Sequence, residues 1–166
     1  MTMKKLVGPE LAPKGLEIYP PIFESEMFNG LKVMPGALEL LEALRKKGEK
    51  TAVFTNKVGV HARAACDHLR ITGLVDLVVG VKDTPWRKPD PEFTQHTLEK
   101  LEATATESLL VGDSPFDFAS AENVGMDCRL VSTGTHSVEE LSKLPALSIH
   151  EDLFDLAEAV WGLSLR

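Results

Sequence analysis

The stretch Leu109-Leu110-Val111-Gly112-Asp113-Ser114-Pro115-Phe116-Asp117 decides the fold. Its three consecutive apolar residues suit a short strand buried on both faces. Gly112 ends the run, and Asp113 sits where a parallel strand meets its loop. In open α/β sheets that carboxyl end is where ligands bind. Pro115 suits the first turn of a helix, which makes Ser114 the candidate N-cap. Asp117 follows one helical turn after Asp113, so the two carboxylates can share a side. Two oxygen donors at a strand-to-helix corner are what a hard cation such as magnesium takes. The plainer reading is an N-capped helix with ordinary acidic residues in its first turn, and at this point both readings stand.

Working outward, helices and strands alternate. Pro35 and Gly48 bracket a helix in which Ala37, Leu40, Leu41 and Leu44 make one apolar face. Residues 50–55 (KTAVFT) read as a buried strand, with Thr55-Asn56-Lys57 as the loop at its carboxyl end. A helix is expected over 60–70 and a strand over 76–79. A loop holding Asp83, Trp86, Arg87 and Lys88 then leads through Pro89-Asp90-Pro91 into a helix of 91–102. After the central strand and its helix, which ends near Gly125, come a strand at 128–131 and a short helix at 137–144. A last strand at 147–149 and a closing helix at 152–161 complete the chain.

This alternation implies a parallel sheet covered on both faces. The expected fold is a three-layer Rossmann-like α/β domain, a single domain over 1–166 with its core at 35–166. Residues 1–34 are the least regular part, broken by Pro9, Pro13, Pro20 and Pro21 and by Gly8, Gly15 and Gly30. The best strand there is Leu16-Glu17-Ile18-Tyr19, with a short helical piece at 23–28.

Composition excludes several classes. Lys and Arg number 18 against 25 Asp and Glu, a net charge of -7, which argues against nucleic acid or an anionic membrane as partner. No apolar run approaches the roughly 20 residues that span a bilayer, and the N-terminus does not read as a secretory signal. The 2 cysteines, Cys66 and Cys128, lie far apart and read as buried thiols in a reducing cytoplasm. The 5 histidines include no pair at zinc-ligand spacing. Nothing places Ser114 beside a histidine, so no Ser-His-Asp site is expected.

In the expected sheet, loops after alternate strands gather at one edge and bring together Thr55-Asn56, Lys88 and the Asp113/Asp117 pair. A hydroxyl and an amide donate to an anion, a lysine neutralises a phosphoryl oxygen, and paired carboxylates hold a cation. That donor set describes a phosphate-plus-magnesium site, where catalysis is mostly positioning and charge stabilisation.

Thr55-Asn56-Lys57, Arg87-Lys88-Pro89-Asp90-Pro91-Glu92 and Val111-Gly112-Asp113-Ser114-Pro115-Phe116-Asp117 resemble, in order, motifs two, three and four of haloacid dehalogenase-like (HAD) phosphatases. Ala121-Glu122-Asn123-Val124-Gly125-Met126 and Ser132-Thr133-Gly134-Thr135 also resemble that family, most closely its phosphoglycolate phosphatase branch, and the similarity covers residues 33–160. By this resemblance Thr55 binds the transferring phosphoryl group with Asn56 beside it, and Lys88 steadies nucleophile and phosphate charge. Asp113 ligates magnesium, supported by Asp117, and Gly112 lets the backbone pass close to the site.

The chain departs from the family at motif one, an Asp-x-Asp on the central strand whose first Asp is the nucleophile. No Asp occurs before Asp67, and residues 1–34 are too short for a sizeable cap domain. Leu16 to Tyr19 is the candidate for the central strand position. It would put Tyr19-Pro20 where the carboxylates belong, and a tyrosine with a reference pKa of about 10 is a poor base at neutral pH. Glu17, Glu24 and Glu26 are the nearest carboxylates.

The expectation is therefore a HAD-like phosphatase-type core that keeps metal- and phosphate-binding motifs, holds magnesium weakly, and hydrolyses phosphomonoesters poorly or not at all. Its expected partner is phosphate or a phosphorylated small molecule. The alternative is a non-catalytic binding or regulatory module, or one part of an assembled enzyme. Phe23, Phe28 and Trp86 could then form an apolar patch, and the proline-rich arm could exchange between copies in a homo-oligomer.

Overall fold

The structure, a computed structural model, describes residues 3–165. The chain divides into two compact units, Met1–Lys32 and Val33–Arg166.

In the first unit Met3–Glu26 form helix α1, broken at Gly8, whose φ of 82° and ψ of 164° are not helical. This overturns both the strand expected at Leu16–Tyr19 and the irregular character expected of residues 1–34. Pro9 follows the break directly, where the first turn of a helix needs no amide donor. Pro13, Pro20 and Pro21 lie in the interior and each removes one donor, yet the helix continues through them. Tyr19 and Phe23 are one turn apart and their rings stack with centroids 5.6 Å apart. A four-residue apolar alternation is too short to separate a strand period from a helical one. The helical piece expected at 23–28 is the tail of α1, and residues 27–30 form a turn.

The second unit contains α2 (Ala37–Lys46), β1 (Ala52–Val58), α3 (Gly59–His68), β2 (Leu77–Val81), α4 (Pro91–Leu101), β3 (Leu109–Gly112), α5 (Pro115–Glu122), β4 (Asp127–Val131), α6 (Val138–Leu141), β5 (Ser148–His150) and α7 (Leu153–Trp161). Every strand pairing is parallel, as the alternating pattern requires, and the architecture is Rossmann-like α/β. Leu40 and Leu44 of α2 bury against Ala157 of α7, with Leu153 and Trp161 packed around them. A second cluster joins Leu110 of β3, Cys128 and Leu130 of β4, Ala121 of α5 and Leu141 of α6. Each fully buried leucine contributes about 1.5–3 kcal/mol. Thr94 of α4 donates to the Ser120 carbonyl of α5 at 3.1 Å and ties those two helices.

Two features differ from the expected sheet. First, β1 runs past residue 55 to Val58, with a register shift: Thr55 lies opposite Gly80 and Val58 opposite Val81. Thr55-Asn56-Lys57 is thus a bulged strand end rather than a free loop, and bulges re-aim side chains beside functional sites. Second, the sheet is in two pieces, β1-β2 and β3-β4-β5. β1 and β3 border a cavity of about 710 Å³, lined also by Leu40 and Leu44 of α2, Leu98 and Leu101 of α4, and Trp161 of α7. Val111 of β3 is 37% exposed where its neighbour Leu110 is 8%. No strand among the described residues occupies the position between them.

Candidate active site

Three chain segments meet at the carboxyl ends of β1 and β3. The Asn56 side chain grips the main chain of Lys88 twice: its Oδ1 accepts from the Lys88 amide at 2.8 Å, and its Nδ2 donates to the Lys88 carbonyl at 3.1 Å. The Lys88–Pro89 peptide is cis, and Asn123 of the loop after α5 donates to the Pro89 carbonyl at 2.9 Å. So held, Lys88 sends its Nζ over the Phe54 ring, 4.9 Å from the centroid, and donates to Asp117 Oδ1 at 2.6 Å.

Ser114 caps α5 as its position before Pro115 requires, accepting from the Asp117 amide. The Ser114 hydroxyl donates to Asp117 Oδ2 at 2.6 Å, and the Asp113 amide donates to the same oxygen at 3.1 Å. Both carboxylate oxygens of Asp117 are therefore engaged. The Lys88 and Asp117 side chains are only 12% and 6% exposed. Burial pushes the Asp117 carboxyl up, but the charge of Lys88 and the hydrogen bonds from Lys88, Ser114 and the Asp113 amide outweigh it and hold it below the ordinary carboxylate range. Gly112 is obligatory here, because a Cβ on it would collide with the Asp117 side chain. Gly134, in the loop after β4, is pressed as closely by the Asp113 carboxylate.

Of the residues singled out from sequence, Asn56, Lys88, Asp113 and Asp117 form one connected network. Thr55 adjoins it through Asn56, and its Oγ1 accepts from the Lys57 amide at 3.1 Å, leaving the hydroxyl proton to donate elsewhere. The cavity lining takes in Lys88 and Asp117 but not Thr55, Asn56 or Asp113. The site residues that border the cavity are thus the paired Lys88 and Asp117.

A divalent cation is less well served. Among the described residues no three His, Cys, Asp or Glu side chains gather to hold a metal. Asp117 is committed to Lys88 and Ser114, so Asp113 is the carboxylate left over, and one carboxylate is a thin donor set for a hard cation. As arranged, these side chains do not fit a tightly held magnesium ion.

The structure also holds a Ser-His-Asp chain that sequence reasoning missed. Ser148 Oγ lies 2.6 Å from His150 Nε2, and His150 Nδ1 lies 3.0 Å from Asp155 Oδ2. Arg129 donates to Ser148 Oγ at 2.7 Å. The available signal was the i, i+2 spacing of Ser148 and His150 on one strand face, with an acid in the first turn of the following helix. These residues do not line the cavity between β1 and β3, and with Arg129 they tie β4, β5 and α7 together. Cys128 is inert, its thiol pushed up to about 12 by burial, with the Asp117 charge adding to the effect.

Residues 1–131 match the family model described as haloacid dehalogenase-like hydrolase. The chain is 38% identical over 129 residues to a phosphoglycolate phosphatase of Rhodospirillum rubrum, covering 78% of this chain and 53% of that protein. It is 31% identical over 146 residues to a phosphoglycolate phosphatase of Pseudomonas syringae, covering 87% of this chain and 53% of the relative. The chain thus spans about half the length of the curated relatives it matches. A crystal structure named as a candidate phosphoglycolate phosphatase from Lactobacillus delbrueckii superposes with a TM-score of 0.86 at 30% identity, covering 96% of this chain and 66% of that one.

Proposed function

The chain belongs to the haloacid dehalogenase-like hydrolases, and from that premise we propose that it is a phosphatase-type core that binds phosphate or a phosphorylated small molecule and turns it over weakly or not at all. One observation carries the binding half of the reading: Lys88, its main chain held by two hydrogen bonds from Asn56, lines the cavity with its ammonium paired to Asp117, and Thr55 precedes Asn56 at the end of β1. In this reading Lys88 neutralises a phosphoryl oxygen, Thr55 donates a hydrogen bond to another, and Asn56 acts only by positioning Lys88. The relatives' name, phosphoglycolate phosphatase, makes a small phosphorylated acid the substrate class to test first.

The weak-turnover half is supported by the residues themselves. No Asp occurs before Asp67, so this chain offers no early Asp-x-Asp to form a covalent phospho-intermediate, and the route that divides one hard step into two is closed to it. When bound, magnesium would supply charge stabilisation of the phosphoryl group. Asp113 is the one carboxylate left to hold it, since Asp117 is committed to Lys88 and Ser114, so its affinity is low. Among the described residues no helix is long and apolar enough to cross a membrane. The buried thiols Cys66 and Cys128 suit a reducing cytoplasm.

The test pairs two measurements. Calorimetric titration with inorganic phosphate gives heat with the native chain and loses it in Lys88→Met; no heat with the native chain defeats the binding reading. Incubation with p-nitrophenyl phosphate or phosphoglycolate and magnesium gives no turnover above buffer. Robust turnover, abolished by Asp113→Ala, defeats the inactive reading.

A further inference from the structure

We infer that Ser148, His150, Asp155 and Arg129 form a second hydrolytic site, at which the Ser148 hydroxyl attacks small carboxylic esters. Lys88, Asp113 and Asp117 take no part in it, so it stands apart from phosphate binding.

The hydrogen bonds of this group run in one direction. Arg129 Nη1 donates to Ser148 Oγ at 2.7 Å, and a guanidinium has no lone pair with which to accept in return. A serine hydroxyl has one proton to give. His150 Nε2, 2.6 Å away, is the acceptor it meets, since the Ser148 hydroxyl has no third partner among the described residues. Nε2 is therefore bare, the ring proton sits on Nδ1, and Nδ1 donates to Asp155 Oδ2 at 3.0 Å. That is the tautomer a general base for serine requires.

The backbone holds these groups in place. Ser148 and His150 are two apart on β5 and share one face of the sheet. Arg129 of β4 lies directly opposite Ser148 in the parallel register. Asp155 is in the first turn of α7, its amide bonded to the Asp152 side chain that caps the helix. Side chains carried by strands and a capped helix keep their mutual geometry better than side chains on loops. The His150 side chain is 7% exposed and that of Asp155 is 55% exposed, so the base is shielded from water while its orienting acid is reached from the surface.

The chemistry balances without a metal or a redox partner. As the Oγ–carbon bond forms, the hydroxyl proton passes to His150 Nε2, and Asp155 stabilises the imidazolium. The positive Arg129 beside Oγ favours the developing alkoxide, and its remaining N–H groups are donors for the carbonyl oxygen as it becomes negative. His150 then protonates the leaving alkoxide as the ester carbon–oxygen bond breaks. Water attacks the acyl-serine with His150 again taking the proton, and the sum is ester plus water giving acid plus alcohol. Ser148 is half-buried and does not line the large cavity, so the acyl group it accepts is short.

The full chain is treated with phenylmethanesulfonyl fluoride, which forms an Oγ–sulfur bond as fluoride leaves, and the adduct is located by peptide mass spectrometry. Turnover is followed with p-nitrophenyl acetate. The expected results are an adduct on Ser148 and faster p-nitrophenol release by the native chain than by Ser148→Ala. His150→Asn keeps a donor for Asp155 but removes the base, and labelling should slow by about 100-fold or more. Asp155→Ala alters an exposed position, keeps the fold by its melting curve, and should slow labelling by about tenfold or more; it decides the matter even if His150→Asn does not fold. A hydrogen-bonded strut with no chemistry would lose stability in these variants but would show no serine adduct to slow. Absence of an adduct on Ser148, equal labelling of native chain and Asp155→Ala, or ester turnover unchanged in Ser148→Ala overturns the inference.

Discussion

Lys88 Nζ stands 2.6 Å from Asp117 Oδ1, and this ion pair joins the loop before α4 to the first turn of α5. Its partners are close to fully buried, so each depends on the other. Removing one member of a buried pair costs about 3–5 kcal/mol, because the remaining charge is left desolvated.

Acid should expose that dependence. The folded carboxyl of Asp117 lies below its ordinary value, so the pair adds stability that is present above the unfolded pKa of about 3.9 and is lost as pH falls through the folded value. Urea unfolding of the native chain should show its midpoint falling in that acid window. Asp117→Asn should be less stable at neutral pH by about 3–5 kcal/mol and should show a flatter acid limb. Parallel curves for the two proteins would mean that Asp117 is not the titrating group.

Asn56→Ala removes both side-chain hydrogen bonds to the Lys88 main chain. The expected loss is about 1–3 kcal/mol of stability, together with weaker inorganic phosphate binding by calorimetry. Asn56→Asp keeps the acceptor for the Lys88 amide and should retain part of both properties. If Asn56→Ala weakens stability but leaves phosphate affinity untouched, Asn56 does not position Lys88 for an anion.

Gly112→Ala tests the closeness of β3 to Asp117. The added methyl meets the Asp117 side chain, and overpacking of this kind costs about 1–3 kcal/mol. Thermal melting should move down by roughly 2–4 °C per kcal/mol for a chain of this size. An unchanged melting point would show that Asp117 can leave its place freely.

Much of this arrangement was legible in the residues. The alternation after Pro35, the N-cap at Ser114 and the grouping of Asn56, Lys88, Asp113 and Asp117 all follow from periodicity and from the rule that parallel strands present ligands at their carboxyl ends. What escaped had physical reasons. Four prolines argued against α1, yet Met3–Glu26 is helical on either side of the break at Gly8. The bulge that carries β1 on to Val58 is a matter of register against β2, which one strand alone does not encode. The bonding of Asp117 to Lys88 rather than to a shared cation with Asp113 depends on a contact across 29 positions of chain. The same distance effect hid the Ser148–His150–Asp155 chain, whose members come from two elements.

Main-chain hydrogen bonding in the sheet stops at β1 and resumes at β3. Continuity between the two halves is consequently carried by side chains, among them the Asn56 amide clamp, the Lys88–Asp117 ion pair, the Thr94–Ser120 and Asn123–Pro89 hydrogen bonds, and the packing of α2 against α7. The cooperativity of unfolding in this chain is thus a property of those side-chain links rather than of a shared ladder, and loosening them would weaken the coupling of one half to the other.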